Sequence, residues 1–305
     1  MNTKENERQI VVIGGGPAGI TAAIQLKRYG LDTLLLERGE LGGLLWNANL
    51  VENYPGFPNG VRGEKLVGLM KKQIERIGVE VERGEVARVD WKEDCFEIVT
   101  QCAVCSTQHL IIATGTKSRP LPEVIAPGAG KRIFTEIRPL LKETGKQIIV
   151  VGAGDAAFDY ALNLAKGGNF VTILNRGETV KCLPLLFERA AREDRTAYRT
   201  GVAVREIMLD EAATRLVVKC EARGGAESIE ADYVLFAIGR VPNLDFLSDE
   251  VRQRERELVE SGRLYFIGDV KNGLFRQVAI AAGDGLRAAM AIYSQISDFR
   301  YKEHG

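Results

Sequence analysis

Two glycine-rich segments of the chain have the residue types and spacing needed to bind phosphate. Residues 14–19, GGGPAG, fit the pattern G-x-G-x-x-G, and residues 152–157, GAGDAA, fit G-x-G-x-x-A. Glycines in such a loop allow a tight turn and a close approach of the backbone to a pyrophosphate. The N-terminus of a following helix adds N–H donors and positive potential. Both segments therefore predict the binding of a dinucleotide.

The elements around the first loop support this interpretation. The run IVVI at 10–13 is typical of a buried parallel strand, and the apolar residues after the loop follow a helical period. A second strand, 33–36, leads into Glu37, which comes 23 residues after Gly14. A carboxylate at this spacing can accept hydrogen bonds from ribose hydroxyls. Strand, loop, helix, strand and acid in this order predict a dinucleotide site.

The second loop is preceded by a similar strand, IIVV at 148–151, but its acidic position differs. The residue equivalent to Glu37 is Asn175, followed by Arg176 and, five residues later, by Lys181. A carboxylate there favours NAD, whereas cations favour the 2′-phosphate of NADP. The second site is therefore predicted to prefer NADP(H), with NAD(H) left open. The alternative is that both cations are solvated loop charges.

Length and composition narrow the class of protein. A chain of 305 residues predicts two domains or one large one. Lys and Arg total 41, as do Asp and Glu, which argues against nucleic-acid and membrane partners because both need a basic excess. The apolar runs are strand-sized, far below the ~20 residues of a membrane span. Five cysteines and no recognisable signal peptide lead us to expect a reducing, cytoplasmic location.

The remaining segments extend the pattern to the end of the chain. An apolar strand opening at His109 closes on Ala113, and another at 264–267 ends in Gly268-Asp269, where a carboxylate can bind ribitol hydroxyls. An alanine-rich helix is predicted over 279–296. The sequence thus predicts an α/β fold of two dinucleotide-binding, Rossmann-like domains, the second inserted into the first. Two such sites suggest a permanently held flavin and a nicotinamide that binds and leaves.

The chain resembles the low-molecular-weight thioredoxin reductase group of pyridine nucleotide–disulfide oxidoreductases over nearly its whole length. The motifs that carry the resemblance, in order, are GGGPAG at 14–19, ENYPGFP at 52–58, ATG at 113–115, GAGDAA at 152–157, GRVPN at 239–243, GD at 268–269 and RQV at 276–278. The resemblance implies an FAD-binding domain over 1–116 and 243–305 and an NAD(P)H-binding domain over 117–242. It implies hinge strands near 116 and 242, FAD and NADP(H) as cofactors, and a homodimer.

The resemblance also implies which residues hold the flavin. They are Gly14, Gly16, Pro17 and Ala18 at the pyrophosphate, Glu37 at the adenosine ribose, Val86 at the adenine, Gly42, Gly43 and Asn53 beside the isoalloxazine, Ala113, Thr114 and Gly115 in the ATG motif, and Gly268, Asp269, Gln277 and Val278 towards the ribitol and pyrimidine.

On the nicotinamide side the resemblance implies a loop formed by Gly152, Gly154, Asp155 and Ala156. The family's His-Arg-Arg run with a further Arg becomes Asn175-Arg176-Gly177 with Lys181 in this sequence. Two of the three family cations remain, so Arg176 and Lys181 are the candidate ligands of a 2′-phosphate. The expected preference for NADP(H) is weakened by this departure.

The clearest departure from the family concerns cysteine. Thioredoxin reductases carry a C-x-x-C shortly before the second loop, but residues 132–141 contain no cysteine. A C-x-x-C occurs instead at Cys102 and Cys105, where we expect a hairpin end. If the following strand is extended, Cys105 lies about 26 Å from Ala113. We interpret the pair as inert thiols, with a partner-reactive pair or half of an intermolecular metal site as alternatives.

The function expected from these features is an FAD-dependent NAD(P)H oxidoreductase whose acceptor binds directly at the flavin. We assign no catalytic side chain and no metal site, and we interpret His109 as structural. The acceptor is a ferredoxin- or flavodoxin-type carrier, or a small molecule such as oxygen or a quinone. The alternatives are a disulfide reductase that uses Cys102 and Cys105, and a non-catalytic FAD-binding redox sensor, suggested by Asn175 and Gly177.

Overall fold

The computed structural model of the chain describes residues 6–303, which divide into two compact units. The first unit comprises 6–46, 50–117 and 241–303, and the second comprises 47–49 and 118–240. The observed division falls one or two residues from the expected boundaries at 116 and 243. The short segment 47–49, expected in the first unit, belongs to the second.

The first unit contains a seven-stranded sheet in the order β3-β2-β1-β6-β5-β4, with β17 also paired to β6. Strands β1, β2, β3 and β17 join the parallel part, whereas β4, β5 and β6 form an antiparallel meander. The strands are β1 (Asn6–Ile13), β2 (Thr33–Glu37), β3 (Glu80–Arg83), β4 (Val86–Lys92), β5 (Cys95–Thr100), β6 (Val104–Ile112) and β17 (Leu264–Phe266).

Helices cover this sheet. They are α1 (Pro17–Arg28), α2 (Gly63–Ile77), α5 (Asp249–Gln253), α6 (Glu255–Glu260) and α7 (Val278–Glu303). Helix α1 begins with Pro17 at its first position, where the missing N–H costs nothing. Helix α7 packs along α1, and the rings of Tyr29 and Tyr293 stack 4.1 Å apart. Helix α7 therefore packs against the helix that follows the first loop.

The core of the first unit explains why its strands form. Val11, Leu34, Phe96, Leu110 and Leu264 come from five different strands and are at most 1% exposed. Burying each of these side chains stabilises the fold by roughly 1.5–3 kcal/mol. His109, expected to open a strand, lies inside β6 because the apolar meander extends that strand back to residue 104.

The second unit repeats the parallel design in the strand order β11-β10-β9-β15-β8. Its strands are β8 (Ile133–Phe134), β9 (Gln147–Val151), β10 (Phe170–Asn175), β11 (Thr196–Thr200) and β15 (Tyr233–Phe236), and its helices are α3 (Asp155–Lys166) and α4 (Pro184–Arg192). A separate antiparallel sheet is formed by β12 (Ala203–Leu209), β13 (Leu216–Ala222) and β14 (Gly225–Ala231). The predicted α/β fold, with a second Rossmann-like domain inserted into the first, is confirmed.

The chain passes between the units through β7 (Thr116–Ser118) and β16 (Arg240–Pro242), which pair as a two-stranded sheet. These are the segments expected as hinge strands. Within the described residues, none of the helices combines the length and the hydrophobicity needed to span a membrane. The same part of the chain holds no group of three or more acidic, histidine or cysteine side chains arranged to bind a metal ion.

Candidate nucleotide-binding sites

The first glycine loop joins the end of β1 to the start of α1. The N–H of Gly14 donates to Leu36 O at 2.8 Å, which ties the loop to the neighbouring strand. Gly14 has φ +106°, and a Cβ there would lie 2.4 Å from Ala113 O, so only glycine fits. At Gly16, by contrast, a Cβ would meet no atom within 4 Å. The backbone at Gly16 therefore faces open space in which a phosphate can approach it.

The carboxylate of Glu37 lies at the edge of this loop. Its Oε2 accepts a hydrogen bond from Gly15 N at 2.7 Å, and its Oε1 accepts one from Gly39 N at 2.8 Å. An ionised carboxylate has about four acceptor positions, so two remain for other donors. Glu37 is thus oriented by the backbone and retains the capacity to accept ribose hydroxyls.

A cavity of about 460 Å³ opens beside the loop in the first unit. Four of the predicted flavin-binding residues line it: Glu37 and Val86, expected at the adenosine, Gly14, expected at the pyrophosphate, and Thr114 of the ATG motif. The cavity is large enough for an adenosine group and lies at the C-terminal edge of a parallel sheet, where nucleotides bind in such folds.

Other residues that line this cavity were missed at the sequence level. They include Gln101 in the turn after β5, and Lys117 and Asp245, which form an ion pair. Asn243 also lines the cavity, and its backbone binds Thr114 Oγ1 and Gly115 O. The GRVPN motif ending at Asn243 is the one sequence signal that pointed to this group.

The Gly-Gly element packs directly on the first loop. Gly42 N donates to Gly15 O at 2.7 Å, and a Cβ at Gly43 would lie 3.3 Å from the Gly16 Cα. Trp46 Nε1 donates to Leu41 O at 2.9 Å, which closes the turn. The structure therefore brings the two predicted glycine elements together.

Residues from the two ends of the first unit also meet. The amide of Asn53 donates to Gln277 Oε1 at 2.9 Å, although 224 positions separate them in the chain. A Cβ at Gly268, which has φ +71°, would lie 2.8 Å from the Ala18 Cβ, so the turn carrying Asp269 contacts the start of α1. The open backbone at Gly16, the oriented carboxylate and the adjacent cavity together fit an FAD.

The second loop has the same backbone design. Gly152 N donates to Leu174 O at 3.0 Å, and a Cβ at Gly152 would lie 2.5 Å from Ala237 O. A Cβ at Gly154 would meet nothing within 4 Å. Asp155 begins α3 and accepts a hydrogen bond from Leu183 N at 2.8 Å. The second loop, followed by Ala156, therefore also has backbone open to a phosphate.

The side chain at the end of β10 has a structural role. Asn175 is 6% exposed, donates to Thr179 O and to the Tyr198 hydroxyl, and accepts from Gly177 N. Arg176 and Lys181 are exposed, and across the described residues neither side chain makes a hydrogen bond or an ion pair. These two cations are thus available to an anion, such as a phosphate group.

The cysteine pair lies at the β5–β6 hairpin, as expected. Cys102 is exposed in the turn, whereas Cys105 lies inside β6 and packs in the core of the first unit. Burial raises the pKa of the Cys105 thiol to about 11. Strand β6 is regular over Val104–Ile112, so the assumption of an extended strand holds. A thiol in this environment is a poor nucleophile.

The segment before the second loop, residues 132–141, contains no cysteine. It contains β8 and a short 3₁₀ turn at Arg138–Leu140, with Ile137 fully buried. Glu136 forms an ion pair with Arg240 at 3.3 Å.

His109, in the first unit, has a structural role, because its Nδ1 donates to Gly262 O at 3.1 Å and burial lowers its pKa.

Two doubly wound units, each with a glycine loop between a parallel strand and the helix that follows it, define the class of two-dinucleotide oxidoreductases. Comparison with known proteins identifies the family. The profile of the family described as "Pyridine nucleotide-disulphide oxidoreductase" matches residues 8–285. The chain therefore belongs to this family and is a thioredoxin reductase-like oxidoreductase, which confirms the predicted resemblance and class of enzyme.

Individual relatives agree with this assignment. A thioredoxin reductase of Chlamydia trachomatis is 30% identical over 92% of this chain and 96% of its own. A "34.2 kDa protein in rubredoxin operon" of Clostridium pasteurianum is 28% identical over 94% and 96%. The crystal structure of Lactococcus lactis thioredoxin reductase superposes with a TM-score of 0.83 at 30% identity, covering 95% of this chain and 99% of that one.

Proposed function

We propose that the chain is an FAD-dependent NAD(P)H oxidoreductase whose electron acceptor binds directly at the flavin. When bound, FAD would supply the redox chemistry between the nicotinamide and the acceptor. The protein supplies positioning and electrostatics rather than a catalytic acid or base. The observation that carries the proposal is the absence of any cysteine from residues 132–141.

The first unit is proposed to bind FAD and the second to bind the nicotinamide. The cavity beside Gly14 and Glu37 would hold the adenosine, and Asn53 with Gln277 would contact the isoalloxazine end. The loop at Gly152 and Gly154 would hold the second pyrophosphate. All remaining flavin and nicotinamide ligands named from the family resemblance are proposed in the same roles.

The acceptor is tested by anaerobic reduction with each nicotinamide followed by a panel of acceptors. We expect electrons to reach an artificial one-electron acceptor or a ferredoxin- or flavodoxin-type carrier, and we expect no reduction of thioredoxin. The variant Cys102→Ser/Cys105→Ser should retain acceptor reduction within about twofold, a barrier change of ~0.4 kcal/mol. Thioredoxin reduction that disappears in this variant would instead support a disulfide reductase.

A preference for NADP(H) is proposed through Arg176 and Lys181. Arg176→Ala should raise the KM for NADPH and leave that for NADH nearly unchanged, since one charged hydrogen bond is worth about 1.5–3 kcal/mol. Lys166→Ala is the matched control, because Lys166 is exposed at the far end of α3. Equal effects of Arg176→Ala on the two nicotinamides would show that Arg176 is not a phosphate ligand.

A non-catalytic redox sensor is the second candidate, favoured by the inward-facing amide of Asn175 and by Gly177, where the family has a cation. Stopped-flow mixing under anaerobic conditions separates the two functions. An oxidoreductase bleaches its flavin absorbance with NADPH or NADH, whereas a sensor of this kind retains it with both.

A homodimer in a reducing, cytoplasmic compartment is proposed as the working state. Leu286, Met290 and Tyr293 share one face of α7 and are 42%, 57% and 40% exposed, which is unusual for a contiguous apolar stripe on a monomer. Within the described residues, none of the five cysteines forms a disulfide bond, as suits a reducing compartment. Leu286→Glu/Met290→Glu should convert a dimer to a monomer in sedimentation, and an unchanged dimer would place the interface elsewhere.

A further inference from the structure

Asp284 is a buried acid that neither the glycine loops nor the family motifs include. It lies in the second turn of α7 and is 8% exposed. Its Oδ2 accepts hydrogen bonds from Gly268 N at 3.1 Å and from Asn272 Nδ2 at 2.7 Å, and Lys271 Nζ lies 3.5 Å from its Oδ1. Burying a carboxylate is costly unless donors surround it. All three donors come from the turn that carries Asp269.

The same turn is also held in place by close contacts with Ala18. Gly268 has φ +71° and no room for a Cβ, because Ala18 lies against it. On the other side of Asp284, a Cβ at Gly285 would lie 2.4 Å from Ala18 O. The turn and α7 therefore both pack against the start of α1, which follows the first phosphate loop. Asp284 joins the turn to the helix at the point where both meet that loop.

We propose that Asp284 is a positioning residue that holds the Gly268–Asp269 turn in place for the ribityl part of FAD. Without the two hydrogen bonds to Oδ2, the Gly268 N–H and the Asn272 amide lose their acceptor, and Asp269 loses its fixed position relative to the first loop. The adenosine cavity does not include Asp284 or this turn. The inference rests on the proposed binding of FAD to the first unit.

The test compares two ligands on the apoprotein. FAD contacts both the adenosine cavity and the turn, whereas ADP contacts only the cavity and the loop. Asp284→Ala should weaken FAD binding by roughly 10- to 100-fold, the usual effect of losing hydrogen bonds to a charged group. Binding of ADP, measured by calorimetry in the same preparation, should stay within about twofold. Asp284→Asn should recover most of the FAD affinity, since its amide oxygen can accept both bonds.

Two further variants guard against a general loss of structure. Arg287→Ala, on the exposed face of the same helix, should leave the affinities for both ligands unchanged. Asn272→Ala removes one donor to Asp284 and should weaken FAD binding by a few-fold, with ADP unaffected.

Particular outcomes would overturn the inference. Parallel losses of FAD and ADP affinity in Asp284→Ala, or no recovery in Asp284→Asn, would show that Asp284 only supports the fold. Unchanged FAD binding in Asp284→Ala would show that the Gly268–Asp269 turn keeps its position without the Asp284 carboxylate. If the unmutated protein itself takes up no FAD, the proposed function fails, and this inference fails with it.

Discussion

The two glycine loops of this chain share a backbone design but differ in the residue that ends the strand after the following helix, Glu37 in β2 and Asn175 in β10. In both, the first glycine donates its N–H to the last core residue of the adjacent strand, Gly14 to Leu36 and Gly152 to Leu174. Glu37 and Asn175 therefore occupy equivalent positions. The Rossmann framework sets where this side chain begins, and the side chain itself decides what the site can bind.

The two equivalent side chains are used in opposite ways. Glu37 reaches back to Gly15 N and stays beside the cavity as a charged acceptor. Asn175 turns inward and uses its amide to hold Thr179 and the Tyr198 hydroxyl. The second unit consequently has no carboxylate at this position, and the exposed side chain of Arg176 follows it in the chain. The same fold position thus carries a carboxylate that lines a cavity in one unit and an inward-bonded amide in the other.

The loops differ again where α1 and α3 begin. A Cβ at Gly19 would lie 1.9 Å from Gly14 O, whereas the equivalent Ala157 carries its methyl group fully buried. Helix α1 therefore approaches its loop more closely than α3 does. The first loop has no room for a Cβ at this position, whereas the second loop accommodates one.

The largest expected effect follows from this close approach. Gly19→Ala places a methyl group against a backbone oxygen, so the first loop must shift, at a cost of about 3 kcal/mol, or roughly 100-fold weaker FAD binding. The matched change in the second loop, Ala157→Gly, should cost only about 0.5–1 kcal/mol of stability and leave the bound flavin unaffected. Flavin content after gel filtration measures the effect, and normal content in Gly19→Ala would contradict it.

A smaller loss is expected from Glu37→Gln. The neutral amide can accept from only one of the N–H groups of Gly15 and Gly39, which removes one charge-assisted hydrogen bond worth about 1.5–3 kcal/mol. The dissociation constant for FAD, measured by fluorescence on the apoprotein, should rise by 10-fold or more. Glu85→Gln is the control, because Glu85 lines the same cavity but is exposed. Equal increases in the dissociation constant for FAD in the two variants would show that Glu37 contributes no more to FAD binding than Glu85 does.

A third prediction concerns an acidic residue introduced into the second unit at the position equivalent to Glu37. Asn175→Asp should not create an NAD site, because the side chain faces inward and its carboxylate would oppose Thr179 O. We expect a loss of about 1–3 kcal/mol in unfolding free energy from the lost donor, and no decrease in the KM for NADH. Denaturant unfolding and steady-state kinetics measure the two effects. A lower KM for NADH would show that the position is free to turn outward.

The smallest effect concerns Cys105, which lies in the first unit. With a pKa of about 11, its thiol is only about 0.1% ionised at pH 8, so iodoacetamide should label Cys102 and spare Cys105. Because the folded pKa is raised, the folded state keeps its proton longer than the unfolded state does. Stability should therefore decrease as pH rises from 9 towards 11. Cys105→Ala should flatten this slope and Cys102→Ala should not; rapid labelling of Cys105 at pH 8 would contradict its burial.

Much of the candidate site was readable from the sequence because phosphate loops depend on local backbone geometry. A glycine at position 14 is required by a positive φ and by a neighbouring carbonyl, and such requirements leave a pattern in consecutive residues. The alternation of strand and helix is also local, since it follows from the period of the apolar residues. The order of elements, both loops and the position of Glu37 could therefore be predicted.

Tertiary structure decided everything that depends on distant parts of the chain meeting. The bond between Asn53 and Gln277 spans 224 positions, and Asp284 reaches the Gly268 turn from within a helix. The inward orientation of Asn175 depends on Tyr198, which lies on the neighbouring strand. No sequence period marks such contacts, because a side chain's partners are set by packing between elements rather than by spacing along the chain.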